Sequence, residues 1–257
     1  MSPDLAEAIT DDAALGGRLR LLQPRKGHRF GHDAILLAAA TPANAGDHVV
    51  ELGAGVGAAG LAIAARVSGI QLTLIEIDSA LAVLAAQNIV RNGFAEKASA
   101  HCLDVTAPAE AFATVGLTVG SADCVVMNPP FRDPAQTAPS PDAQRRVAHI
   151  GGRDVLDAWI DAANRLLRVG GALTLVYRSD GLDDVCAALS SAFGDIVILP
   201  VVPKPETQAI RVLVNAVKGG QSPPQRLTGM LLNDTSGKPS QEAEAVLRHA
   251  AALKMGG

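Results

Sequence analysis

Val49-Val50-Glu51-Leu52-Gly53-Ala54-Gly55-Val56-Gly57 is the stretch whose reading decides the fold. Its first half is a short apolar run interrupted by one acid, which reads as a buried strand, His48–Leu52. Its second half alternates glycine with small residues and opens into an apolar helix, Ala58–Val67. Glycines let the backbone turn tightly and approach a ligand closely. The helix behind them offers free N–H groups and a positive dipole end. Taken alone, such a turn is also what any strand-to-helix junction needs, so its meaning depends on the rest of the chain.

Strands and helices keep alternating downstream. Gln71–Ile77 reads as a strand, Ser79–Asn92 as an alanine-rich helix, and Ala98–Leu103 and Asp123–Met127 as strands. Val155–Leu167 is amphipathic, with Leu156, Trp159, Ile160, Ala163 and Leu166 on one stripe, which makes Trp159 a core residue. Val169-Gly170-Gly171 ends that helix, and Ala172–Tyr177 is the next strand. Leu182–Phe193 is a helix, and Ile196–Val201 and Ala209–Val217 are the last strands. This alternation implies βαβ crossovers and a parallel sheet. The last two strands are joined by a link too short for a helical crossover, so they should pair antiparallel. The expected organisation is an N-terminal arm over 1–46, a domain over 47–217 and a tail over 218–257 that ends in a helix, Gln241–Leu253.

The chain has 257 residues, enough for one large domain or two small ones. It is 48% hydrophobic but only 3% aromatic, so Ala, Val, Leu and Ile carry the core. That suits helices packed on a parallel sheet. Cys102, Cys124 and Cys186 are scattered and odd in number, which argues against a disulfide framework or a metal site and for buried thiols. The start of the chain is acidic and lacks the apolar core of a secretion signal. No apolar run reaches the ~20 residues of a membrane span. A soluble, cytoplasmic protein is expected. Net charge is −4, but unevenly spread: residues 1–12 hold four acids and no base. Residues 17–29 hold Arg18, Arg20, Arg25, Lys26 and Arg29 and no acid, and Arg145, Arg146 and Arg153 form a second basic group.

Acids at the next two strand ends give the glycine loop its chemistry. Strand two ends in Glu76-Ile77-Asp78, where an acid can accept hydrogen bonds from ribose hydroxyls. Strand three ends in Asp104, placed to contact an adenine amino group. Both a nicotinamide dinucleotide and S-adenosylmethionine are compatible with this set. Nicotinamide enzymes usually show G-x-G-x-x-G. Here the third glycine comes one residue earlier, as Gly53-x-Gly55-x-Gly57, and Glu51 stands two residues before the first. The pattern E-L-G-A-G-x-G resembles motif I of class I S-adenosylmethionine-dependent methyltransferases. The resemblance implies S-adenosylmethionine as cofactor. It implies an α/β fold of the Rossmann-like three-layer kind, with a mostly parallel seven-stranded sheet and an antiparallel last strand. It also implies roles: Glu51 near the methionine end and Glu76 on the ribose, with Asp78 as its competitor. Gly53, Ala54, Gly55, Gly57, Ile77, Asp104 and Val105 are the further cofactor contacts.

Asn128-Pro129-Pro130-Phe131 follows the strand Asp123–Met127. Neither proline has an N–H for a sheet ladder, so the chain leaves the sheet there in a fixed shape. Pro129 also biases Asn128 away from the helical region. A carboxamide and an aromatic ring are thereby presented at a strand's carboxyl end, where open α/β sheets bind ligands. The plain alternative is a proline-rich turn with Phe131 as a core plug. With the cofactor assigned, the four residues resemble the N-P-P-[YF] motif of amino-methyltransferases, which act on adenine N6, cytosine N4 or a glutamine side-chain nitrogen. Such an amine is a poor nucleophile because its lone pair is delocalised. Two acceptors aimed at its N–H groups would draw the nitrogen toward tetrahedral geometry; the Asn128 carboxamide oxygen and the Pro129 carbonyl are suitable. The prolines, Pro130 included, hold both in place, and Phe131 offers a stacking face. No metal and no strong base is required. Asn128 counts among the cofactor contacts as well.

Phe30-Gly31-His32-Asp33 leads into the apolar run Ala34–Ala38. Read plainly, it is a loop capped by Asp33 that opens a helix. It is also similar to the segment before motif I in bacterial tRNA adenine-N6 methyltransferases, the kind acting at the anticodon-loop purine of valine tRNA. Those enzymes carry threonine where this chain has His32. Arg145-Arg146-Val147-Ala148-His149 is similar to the family's R-x-x-A-R-H stretch, without its second arginine. This resemblance, over about residues 15–217, implies that Asp33 lies against the cofactor. It makes Arg25, Lys26, Arg29, Arg146 and His149 candidates for meeting RNA, with tRNA as the partner. Basic residues on the arm could track phosphates; a solvated charged face is the equal alternative. Many members of that family dimerise, so a homodimer is the assembly it would imply. Two other classes stay open. One is a methyltransferase on a small molecule or protein side chain, which the few aromatics and the acidic balance favour. The other is a module that binds the cofactor without turnover.

Overall fold

The computed structural model describes residues 8–27, 29–130 and 152–255, with side chains from Asp154 onward in the last stretch. The chain opens with a hairpin, β1 (Ile9–Ala14) and β2 (Leu19–Pro24), closed by a 3-10 turn over Leu15–Gly17. Then come α1 (His32–Ala40), β3 (His48–Leu52), α2 (Ala58–Arg66), β4 (Gln71–Glu76), α3 (Ser79–Arg91), β5 (Ala98–Cys102), α4 (Ala109–Ala113) and β6 (Ala122–Met127). After these stand α5 (Gly152–Leu166), β7 (Leu167–Arg178), α6 (Leu182–Leu189), β8 (Phe193–Val202) and β9 (Arg211–Lys218). β10 (Gln225–Arg226), β11 (Met230–Leu231) and α7 (Gln241–His249) complete the described elements.

β3 to β9 build the seven-stranded sheet in the order β5-β4-β3-β6-β7-β9-β8. Every pair is parallel except those of β9, which runs antiparallel to β7 and β8. Both faces are covered, so the central strands are continuous apolar runs rather than alternating ones. Val49 and Val126 face a core shared with the hairpin, α1, α2, α3 and α7. Val50 and Val125 face the other, shared with α4, α5 and α6. Strand order reverses between β3 and β6, which opens a crevice at their carboxyl ends.

Several details depart from the sequence reading. Within the arm, residues 9–24 fold as a hairpin against α3. The tail adds β10 and β11 to β8, both parallel, which makes nine strands and covers an edge that would otherwise present unpaired backbone groups. α7 then packs Ala243 and Val246 into the first core, and the Leu253 N–H donates to the Ala39 carbonyl at 2.8 Å. That helix ends at His249, because Ala250 turns left-handed at φ 57°. β7 begins at Leu167, ahead of the two glycines, and a register shift against β6 absorbs them. Cys124 is a buried thiol, pushed up to about 12 by burial, but Cys102 is exposed on the edge strand β5. Among the described residues no helix is long and apolar enough to cross a membrane.

Candidate active site

The glycine loop leaves β3 at Gly53, whose φ is +66°. A Cβ there would lie 2.3 Å from Cη2 of Trp159 on α5, so backbone conformation and packing both demand glycine. The sequence makes Trp159 plain core; its ring end is in fact the buttress of this loop. The Ala54 N–H donates to the Ile75 carbonyl at 2.9 Å, tying the loop to β4. Glu76, at the end of β4, is buried, and its carboxylate accepts from the Gly55 N–H at 2.7 Å and from the Asp78 N–H at 2.9 Å. Asp78 caps α3 by accepting from the Ala80 and Leu81 N–H groups.

A cavity of about 270 Å³ opens over this loop. It is lined by the Arg29–Ala34 segment, Glu51, Gly53–Val56, the first turn of α2, and Asn128. Of the residues singled out for the cofactor, it gathers Asp33, Glu51, Gly53, Ala54, Gly55 and Asn128. Glu76 bears on it only through Gly55. Ile77 is exposed beside it, Val105 is buried, and Asp104 accepts from the N–H and hydroxyl of Thr106, both at 2.8 Å. Gly57 begins α2 as its N-cap.

Glu51 is the electrostatic centre of the cavity. Burial pushes its carboxyl up to about 8, and the nearby charge of Glu76 adds to that; the Gly60 N–H, donating at 2.6 Å, opposes it. No cation pairs with it among the described residues. A buried acid without a counter-charge suits a ligand that brings an ammonium or sulfonium, as S-adenosylmethionine does. The residues present therefore fit that cofactor. Asp33 is not the helix cap: Gly31 takes that position, and Asp33 sits in the first turn, 3.0 Å from the Arg211 guanidinium on β9. Arg211 and Leu81, another lining residue, carry no signal in the sequence that would mark them.

β3 and β6 pair Leu52 with Met127, so Asn128 stands beside Gly53. Pro129 is buried and Pro130 exposed. The Asn128 Oδ1 is buried and has no hydrogen-bond partner among the described residues. A buried acceptor left unmet is costly unless something else supplies the donor. Phe131, Arg146 and His149 lie outside the described residues. On the hairpin, Arg20 pairs with Asp11 at 3.0 Å, Arg91 reaches the same carboxylate, and Arg29 pairs with Asp12 at 2.9 Å. The Arg20 contact holds Asp11 below the ordinary carboxylate range, and the Thr10 hydroxyl, Gln23 and Arg29 do the same for Asp12. Arg25 and Lys26 are exposed at the hairpin's end. Among the described residues no three His, Cys, Asp or Glu side chains converge as a metal site.

A crevice at the point where strand order reverses, with a glycine loop on one side and a proline elbow on the other, is the frame of a class I S-adenosylmethionine-dependent methyltransferase. The solved structure of a predicted O-methyltransferase from Agrobacterium tumefaciens shares it, with a TM-score of 0.73 and 28% identity over 86% of this chain and 98% of that one. Residues 29–200 match the family model described as the methyltransferase small domain, and the chain belongs to that family. It is similar to the tRNA1(Val) (adenine(37)-N6)-methyltransferase of Dickeya chrysanthemi, at 26% identity over 86% of each chain. The enzyme of the same name from Bacteroides fragilis is 27% identical over 73% of this chain and 76% of its own.

Proposed function

We propose that this methyltransferase transfers the methyl group to the exocyclic N6 amine of an adenine in tRNA. The buried Oδ1 of Asn128, without a partner among the described residues, carries the reading. It would accept one N–H of the target amine while the Pro129 carbonyl accepts the other, with the lone pair freed to face the methyl donor. S-adenosylmethionine supplies an activated methyl group. Glu51 would face its cationic methionine end, Asp33 and the Gly53–Gly57 loop would hold its body, and Glu76 would act by fixing Gly55. A paired base could not reach the crevice, so the target is unpaired or flipped out. The names of the relatives support adenine in tRNA, and the exposed Arg25 and Lys26 give the arm of residues 1–46 a phosphate contact beside the catalytic domain of residues 47–217. Such a substrate places the enzyme in the cytoplasm.

One observation favours a small molecule or protein side chain instead: Asp11 and Asp12 pair with Arg20 and Arg29, two of the arm's four arginines. The test is methyl transfer to unmodified tRNA, read as N6-methyladenosine by mass spectrometry of nucleosides. Asn128→Ala should lose about 10²–10³-fold in rate while S-adenosylhomocysteine still binds. Undiminished transfer in that variant sinks the elbow mechanism. Transfer to a metabolite or protein pool but not to RNA establishes the other reading.

A further inference from the structure

β2 pairs with β1 along one edge, and its other edge meets α3. There two asparagine side chains stand in for a strand. The Asn88 carboxamide accepts from the Leu22 N–H at 2.7 Å and donates to the Leu22 carbonyl at 3.0 Å. Asn92 does the same with Arg20, at 2.9 Å in both directions. The spacing explains why this works. Four residues of helix rise about 6.0 Å, and two residues of strand rise about 6.7 Å, so consecutive rungs fall in step.

Asn88 has a further contact. It is fully buried, and its carboxamide also donates to the Val56 carbonyl of the glycine loop at 3.0 Å. The hairpin reaches the opposite wall of the cavity by another route. Gln23, buried on β2, accepts from the Phe30 N–H at 3.1 Å, and the Arg29 guanidinium donates to the Pro24 carbonyl at 2.9 Å. Arg29 and Phe30 both line the cavity, whereas no residue of β2 does.

We propose that the hairpin is a clasp on the cofactor site, coupled to it through Asn88 as the positioning residue. The clasp rests on the reading of this cavity as the S-adenosylmethionine site. Seating the hairpin fixes both walls at once, so hairpin docking and cofactor binding favour each other reciprocally. Asn92 anchors the same hairpin but touches no cavity wall, which makes it the control.

Two measurements on the full chain decide this. In the wild type, S-adenosylhomocysteine should slow amide hydrogen exchange over residues 19–24. By calorimetry, Asn88→Ala should bind that ligand at least about tenfold more weakly, and Asn92→Ala within about threefold of wild type. Equal weakening in the two variants, or a bound ligand with unchanged exchange in β2, overturns the clasp. If Asn88→Ala does not fold, the wild-type exchange measurement decides alone. Failure of the wild type to bind S-adenosylhomocysteine at all refutes the cofactor reading instead, and this proposal with it.

Discussion

Two cavities of similar size lie at opposite edges of the sheet, and only one has the chemistry of a site. The cavity at the carboxyl edge measures about 270 Å³; the one at the amino edge, between the end of α2 and the turn after α3, measures about 310 Å³. The larger is lined by Val67, Ile70, Leu72 and Phe94, with Glu96 and Lys97 exposed at its rim. None of its lining side chains is a buried polar group without a partner. The smaller holds a carboxyl shifted to about 8, an amide oxygen unmet among the described residues, and a glycine pressed against an indole. Volume does not mark function here. Local costs that the rest of the fold must offset do.

That contrast can be broken most forcefully at Gly53. Gly53→Ala combines a left-handed φ with a clash against Trp159, and should cost about 2–4 kcal/mol in urea unfolding and abolish most affinity for S-adenosylhomocysteine. An alanine variant as stable as the wild type would show that the loop is not held under constraint.

A narrower effect, similar in size but confined to the pH dependence of stability, is expected from Glu51. Below about pH 4.5, its ordinary value, the carboxyl is protonated in both the folded and the unfolded chain. From there to about pH 8 the folded chain keeps a proton that the unfolded chain releases, so stability falls as pH rises, and above about 8 the loss levels off. Glu51→Gln removes that slope. Its stability advantage over wild type should grow by roughly 2–4 kcal/mol between pH 5 and pH 8. Parallel urea profiles at the two pH values would mean that Glu51 is not held protonated. The least effect belongs to the other cavity: Lys97→Ala should change stability by no more than about 0.5 kcal/mol and leave ligand affinity unaltered.

The parts of the site that are local in sequence were legible. The glycine loop, Glu51 and the elbow each lie within a few residues of a strand end, where short apolar runs mark the strands. The hairpin was not, although Leu19, Leu21 and Gln23 alternate inward along β2. Its charges read as an acidic block followed by a basic one; the antiparallel register then lays Asp11 and Asp12 beside β2, where Asp11 pairs with Arg20 and Asp12 with Arg29. Asn88 reads as an ordinary mid-helix asparagine, because its partners, Leu22 and Val56, are backbone groups far away in the chain. The Asp33–Arg211 pair joins residues 178 apart, beyond what any local pattern encodes.

The packing of α7 has a consequence in time. A Cβ on Gly16 would fall 2.6 Å from the Arg248 carbonyl oxygen, so the tip of the hairpin and the end of α7 close a single seam. A ribosome adding about 5–20 residues per second needs roughly 10–50 s to travel from one side of that seam to the other. Throughout that interval Leu15, buried in the finished protein, has no cover from α7. The sheet can form on the growing chain, but the molecule is sealed only when residues 241–253 have been made and fold back over α1.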